Sequence, residues 1–212
     1  MPHESRVTPE RWLRLMDTWG LAHKPSVFDA LVAAYSEKWR HYHTIEHISA
    51  CLRHLDAVAH ELDAPHEVEM ALWFHDAVYK PLSGNNERES ADWAMAFLIA
   101  EGAEHAAAAR VHRLIMATRH GDSSLTGNEA SMVDIDLSIL GTDPPTYNRY
   151  EQQIRKEYTF VPSFIYRKKR AAILRDLLGR PRIYTSGHVA AATERQARAN
   201  LLNAVSALEA HH

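Results

Sequence analysis

Apolar residues recur at helical spacing along almost the whole chain. Thr8-Pro9-Glu10 offers an N-cap followed by a proline in the first turn, and Trp12, Leu13, Leu15, Met16 and Trp19 predict an amphipathic helix that Gly20 ends. Pro25-Ser26 opens a second, with Phe28, Leu31, Val32 and Tyr35 facing inward as far as about 39–40. Ile48, Leu52, Leu55, Ala59 and Leu62 follow the stretch Tyr42-His43-Thr44-Ile45-Glu46-His47. That spacing predicts a third helix over 43–62, with His43 and His47 one turn apart at its start, on one face. Ala64-Pro65 breaks the chain, and Val68, Leu72, His75 and Tyr79 predict a fourth helix with those residues on its inner face.

The polar segment 81–86 follows directly, and Asn86, three residues before Glu89, fits a capping box for a fifth helix that runs to Gly102. An Ala-rich helix over 103–118 leads into a second polar loop, 119–124. Further helices are predicted over 128–140, from Asp143-Pro144 through Tyr158, from Val161-Pro162 to Gly179, and over about 189–208. Ile183-Tyr184-Thr185 is the one segment with the look of a short extended piece. The pattern predicts an all-α bundle of about eight to ten helices in a single domain spanning 1–212.

Composition narrows the function. At 212 residues the chain can bury one sizeable core. With 24 basic and 27 acidic residues and a net charge of -3, nothing in bulk charge favours nucleic acid or a membrane surface. The single cysteine, Cys51, rules out an internal disulfide, and its place on the third helix predicts a buried, inert thiol. The N-terminus has no apolar signal region and no apolar run is long enough to cross a bilayer, so a soluble cytoplasmic protein is expected.

The candidate chemistry lies in three stretches. His43 and His47 can meet one metal ion or one ligand. In Leu72-Trp73-Phe74-His75-Asp76-Ala77-Val78-Tyr79, a His-Asp pair sits in an apolar run, where ionisable groups are costly unless hydrogen-bonded or metal-bound. Asp134-Ile135-Asp136-Leu137-Ser138 places two carboxylates on a stretch that otherwise reads as buried. The order His, His-Asp, distant Asp resembles the HD superfamily of metal-dependent phosphohydrolases. Tyr-His-x-x-x-His-Ile and Asp136-Leu137-Ser138 resemble segments of the cyclic-nucleotide phosphodiesterases. Asn86-Glu87-x-x-Ser90-Ala91 and Ile154-Arg155-x-Glu157-Tyr158 resemble motifs of a bacterial group of HD proteins, and the resemblance places the metal-site core at about 42–158.

The resemblance implies His47, His75, Asp76 and Asp136 as metal ligands and His43 as the acid that protonates the leaving oxygen. A mixed N/O donor set suits a divalent ion such as Mn, Co, Ni, Fe, Zn or Mg. Asp134 faces away from Asp136 on a helix and reads as a cap or a solvated group, and His43 as a hydrogen-bonding group behind the ligands is the alternative to the acid. Glu87 is a candidate for activating water or for complementing the helix dipole. His120 and Arg155 are candidates for binding substrate oxygens. The run Arg167-Lys168-Lys169-Arg170 reads as a solvated face.

The chain also departs from these relatives. Ala77, Val78 and Tyr79 stand where HD nucleotidases carry an acid and phosphodiesterases a histidine, and the glutamine that holds a purine has no counterpart. The expected function is hydrolysis of a small phosphoester, nucleotides included. The alternatives are a di-iron oxygenase, with His112 and His120 as extra ligands, and a metal- or nucleotide-binding regulator without turnover. The oligomeric state is left open.

Overall fold

A computed structural model describes residues 4–119 and 125–210. Among the described residues no strand occurs, and ten α-helices succeed one another: α1 (Pro9–Trp19), α2 (Pro25–Tyr35), α3 (Ile45–Val58), α4 (Pro65–Phe74), α5 (Asn86–Ala100), α6 (His105–Ala117), α7 (Gly127–Asp136), α8 (Pro144–Glu157), α9 (Ser163–Gly179) and α10 (Ala191–Glu209). Short 3₁₀ turns continue α3 at Ala59–Glu61 and α7 at Leu137–Gly141. No helix of the described residues is long and apolar enough to cross a membrane.

Two apolar clusters organise the bundle. One gathers the inner faces of α1 to α6 around Trp12, Leu52, Leu72, Phe74 and Leu98, and Trp12 meets Trp73 edge-on at 5.5 Å between ring centroids. The other joins the 3₁₀ turn after α7 to α8, α9 and α10 through Leu140, Tyr147, Leu174, Ile183 and Leu201. Helix α7 belongs to both, with Met132 and Ile135 in the first cluster and Val133 in the second. Buried on every side from Ala130 to Ile135, α7 is the seam of the molecule. Gly141, just past that seam, lets α10 come close, because a Cβ there would collide with Thr193.

Helix ends depart from the predicted ones where tertiary contacts compete with periodicity. Helix α2 stops at Tyr35, so Trp39 and Arg40 lie beyond it. Helix α3 begins at Ile45 with Thr44 as N-cap, its side chain accepting from the Glu46 N–H at 3.3 Å, so His43 precedes the helix. Helix α4 ends at Phe74, and His75 and Asp76 form the turn after it. Asn86 makes no capping box. Its side chain clamps the loop instead, accepting from the Lys80 N–H and donating to the Lys80 carbonyl, each at 3.0 Å. Ile183-Tyr184-Thr185 pairs with no strand: the Ile183 and Tyr184 N–H groups donate to Glu194, and that of Thr185 to Asp134.

Candidate metal centre

The site is assembled where three helices end. Helix α3 presents His47 in its first turn, the turn after α4 presents His75 and Asp76, and Asp136 is the last residue of α7. The turn that carries the His-Asp pair is braced from three sides. Arg40, buried behind it, donates to the Asp76 carbonyl at 2.6 Å and to the Ala77 carbonyl at 2.9 Å. The Tyr35 hydroxyl donates to the Trp73 carbonyl at 3.1 Å and accepts from the Asp76 N–H at 3.3 Å. From α5, Ser90 accepts from the Val78 N–H at 3.0 Å. Asn86 and Ser90 of the Asn-Glu-x-x-Ser-Ala motif are thus loop braces.

Four donor atoms converge. His47 Nε2 lies 3.1 Å from His75 Nε2, 3.5 Å from Asp76 Oδ2 and 3.3 Å from Asp136 Oδ1. His75 Nε2 lies 3.2 Å from Asp76 Oδ2 and 3.5 Å from Asp136 Oδ1. Donors bound at about 2.1 Å to one ion stand roughly 3.0–3.4 Å apart in octahedral or tetrahedral arrangements, so the spacing fits a shared ion. His75 Nδ1 donates to the Leu72 carbonyl at 2.9 Å, and since a carbonyl only accepts, Nδ1 carries the hydrogen and Nε2 turns its lone pair into the cluster.

Electrostatics point the same way. Burial raises the Asp76 and Asp136 carboxyls, but the facing imidazoles outweigh it and hold both below their ordinary range. Burial works against charge on His75, yet Asp76 and Asp136 prevail and hold it well above its ordinary value. The cluster favours a positive charge at its centre.

Cys51 stands beside this group. Its Sγ lies 3.7 Å from His47 Nδ1, and donor atoms of His47, Cys51, His75 and Asp136 all fall within 4.8 Å of one another. These residues can hold a metal ion. The expected burial of Cys51 is what the structure has, but its place against the metal centre is new. Burial, then Asp136 and Asp76, push its thiol well above the ordinary range.

His43 has its own carboxylate, which the sequence reading passed over. Glu157 Oε2 bonds His43 Nδ1 at 2.7 Å, while Oε1 accepts the N–H groups of His41, Tyr42 and His43 at 2.7, 2.7 and 3.1 Å. Burial pushes the Glu157 carboxyl up, but His43 and those N–H groups bring it down to about 2. His43 feels burial against its charge and Asp76 and Glu157 in favour, and its value is raised. The signal for Glu157 was present in the Ile-Arg-x-Glu-Tyr motif, two positions after Arg155, the residue singled out.

A cavity of about 450 Å³ opens over the cluster, lined by His43, Asp76, Glu87 and Asp136, so these predicted residues share one space. Arg155 does not line it. Its guanidinium donates to the Tyr158 and Val161 carbonyls and lies over the Tyr166 ring at 4.6 Å. Lys169 and Arg170, from the run read as solvated, line the cavity in its place. Asp134 is neither a cap nor solvated. It is buried on the opposite face of α7 and accepts from the Thr185 and Ser186 N–H groups at 3.0 and 2.9 Å. His112 pairs with Asp92 at 3.0 Å, outside the cluster, and His120 lies outside the described residues. Comparison with family models, curated proteins and solved structures finds no match for this chain.

Proposed function

We propose that this protein is a metal-dependent phosphohydrolase of the HD type, acting on a small phosphoester. The convergence of His47, His75, Asp76 and Asp136 on one point, at 3.1–3.5 Å spacing and open to a cavity, carries this reading. The donors are two imidazoles and two carboxylates, a set that suits Mn, Co, Ni, Fe, Zn or Mg, with the Cys51 Sγ alongside at 3.7 Å from His47 Nδ1. When bound, a divalent ion supplies Lewis acidity toward a phosphoryl oxygen and a lowered pKa for water.

The chain's own residues account for the rest. Glu157 holds His43 by Nδ1, so Nε2 is the ring atom left to deliver a proton to the leaving oxygen. Glu87 adds a carboxylate to the cavity wall, placed to orient water. Lys169 and Arg170 bring positive charge to the same wall and favour a phosphorylated ligand.

The test is turnover of aryl, alkyl and nucleoside phosphates by protein loaded with Mn, Co or Ni, with and without chelator. Metal-dependent release of phosphate is expected. His43→Ala is expected to keep its metal, to lose about 10²–10⁴-fold on alkyl esters and to lose far less on a nitrophenyl ester, whose leaving group needs little protonation. No turnover on any ester would defeat the assignment.

A further inference from the structure

The wall of the metal-site cavity is mainly hydrocarbon. Leu82, Leu137, Leu140, Ile154, Ile173 and Leu177 line it, and among the described residues no Asn or Gln does. Its tyrosines are largely occupied with one another or with the protein: the Tyr79 and Tyr158 hydroxyls meet at 3.3 Å, and the Tyr150 hydroxyl accepts from Arg170 at 2.8 Å. The Thr118 hydroxyl donates to the Ile115 carbonyl at 2.7 Å. Such a wall has little with which to read a purine or pyrimidine edge or a ribose, which require paired donors and acceptors.

Apart from the Glu87 carboxylate, placed to orient water, the polar groups still open to a ligand suit an anion. Arg170 gives Nε and Nη2 to Glu151 and Tyr150, while Nη1 donates to none of the described residues. The buried Tyr166 hydroxyl has no hydrogen-bond partner among them either. With Lys169, these are donors for phosphoryl oxygens.

Two apolar lining residues are exposed in an unusual way. Leu82, in the loop after the His-Asp turn, is 66 % exposed and has φ 70°, the left-handed region that costs a leucine about 1–2 kcal/mol. Ile173, on α9, is 54 % exposed. Strain and exposed hydrocarbon meeting at a cavity are what a ligand-contacting lip has.

We infer that the ligand of this site is a phosphate monoester of an apolar alcohol, a linear alkyl chain in its simplest form, with Leu82 and Ile173 contacting the hydrocarbon. The inference rests on the phosphohydrolase reading for the placement of the phosphoryl group at the metal centre. It narrows that reading away from nucleotides.

The test uses alkylphosphonic acids from methyl to octyl, which cannot be hydrolysed at the P–C bond, titrated calorimetrically into the manganese-loaded protein beside adenosine 5′-monophosphate. Affinity is expected to rise about threefold to fourfold per methylene until the cavity is filled, with a heat-capacity change growing more negative along the series. The nucleotide is expected to bind no more tightly than methylphosphonate. Leu82→Asn, which tolerates the same backbone, and Ile173→Ser are each expected to flatten the chain-length slope and leave methylphosphonate unchanged. A flat slope in the unaltered protein, or a nucleotide that outcompetes octylphosphonate, overturns the inference. If chain length governs binding but no ester is hydrolysed with any metal, the hydrolase reading fails while the ligand class stands. If nucleoside phosphates are the preferred substrates, the reverse holds.

Discussion

In the cluster formed by α1 to α6, Leu31, Ile48, Leu52, Val68, Leu72 and Leu98 are fully buried, and hydrocarbon and aromatic packing dominates. The cluster formed by α8 to α10 is tied together by polar side chains that hold loop backbone. Asn200 donates to the Leu140 and Thr142 carbonyls, each at 2.8 Å, Arg198 donates to the Leu178 and Arg180 carbonyls at 3.0 and 2.8 Å, and Glu194 and Asp134 hold segment 183–186. This second region also leaves Phe160, Phe164 and Ile173 exposed. The division matches the work each region does. Metal ligands must sit within fractions of an ångström, and the proposed ligands His47, His75 and Asp76 are carried by the densely packed region, where side chains have little room to shift. The second region contributes much of the cavity wall, where tolerance is affordable, together with Glu157. Helix α7 serves both because residues two apart on a helix differ by about 200° in direction, sending Asp136 to the metal centre and Asp134 to the loop.

The largest effect should come from the ligands. His75→Ala is expected to reduce bound metal from about one ion per chain to near none, measured by plasma mass spectrometry on protein purified without added metal. Equal metal in both proteins would break the assignment of the first region as the metal scaffold.

Core substitutions come next and sharpen the contrast. Leu98→Ala, at a fully buried site of the first cluster, is expected to cost about 2–5 kcal/mol in denaturant unfolding, through lost burial and a cavity. Asn200→Leu in the second cluster is expected to cost about 1–3 kcal/mol by another route, since it strands two carbonyls without their donor. Were the polar substitution harmless, the second region would not be held as described here.

Glu157 gives a pH-dependent prediction. Its carboxyl is at about 2 in the fold against an ordinary 4.5, so its stabilisation is fully present above about pH 4.5 and is lost as pH falls toward 2. The stability gap between the natural protein and Glu157→Gln is therefore expected to narrow by about 2–3 kcal/mol between pH 6 and pH 2, with metal content near neutral pH unchanged. A gap independent of pH would mean that the carboxylate charge is not what anchors His43.

The smallest effect belongs to Leu82. Leu82→Gly relieves the left-handed strain and adds chain entropy to the unfolded state, for a net gain of about 0.5 kcal/mol in thermal or denaturant unfolding. A loss of stability would show that Leu82 packs to hold the loop and is not spared for a ligand.

How much was legible in the sequence varies by residue. The apolar periodicity of α1, α3, α5 and α8 to α10 was plain, because each helix buries one face and that face must recur every three to four residues. His75, Asp76 and Asp136 were visible as ionisable groups in apolar runs, and His47 by its one-turn spacing from His43, while the preference for Asp136 over Asp134 came from the family resemblance. The ends of α2, α3 and α4 were not visible, because Thr44 takes the cap position and the chain after Phe74 turns toward Arg40 and Tyr35, neither of which changes the local period. Asp134 and Arg170 were misread for a related reason. A lone charge on a helix looks solvated until the partner that buries it, or the cavity beside it, is known.

Local order along this chain, the run of helices and the residue types able to bind a metal, is therefore determined by the sequence itself, since periodicity, caps and composition act over a few residues. What lies between distant residues was decided only by the tertiary structure: Glu157 reaching back to His41, Tyr42 and His43, Arg40 closing on the His-Asp turn, Cys51 lying against the metal centre, and an apolar wall from α9 facing it. Those contacts join segments as far apart as 116 positions, and no short-range pattern encodes which buried carboxylate will meet which backbone N–H. Packing makes that choice, because each buried polar group must find a partner within hydrogen-bond reach once the helices have closed around it.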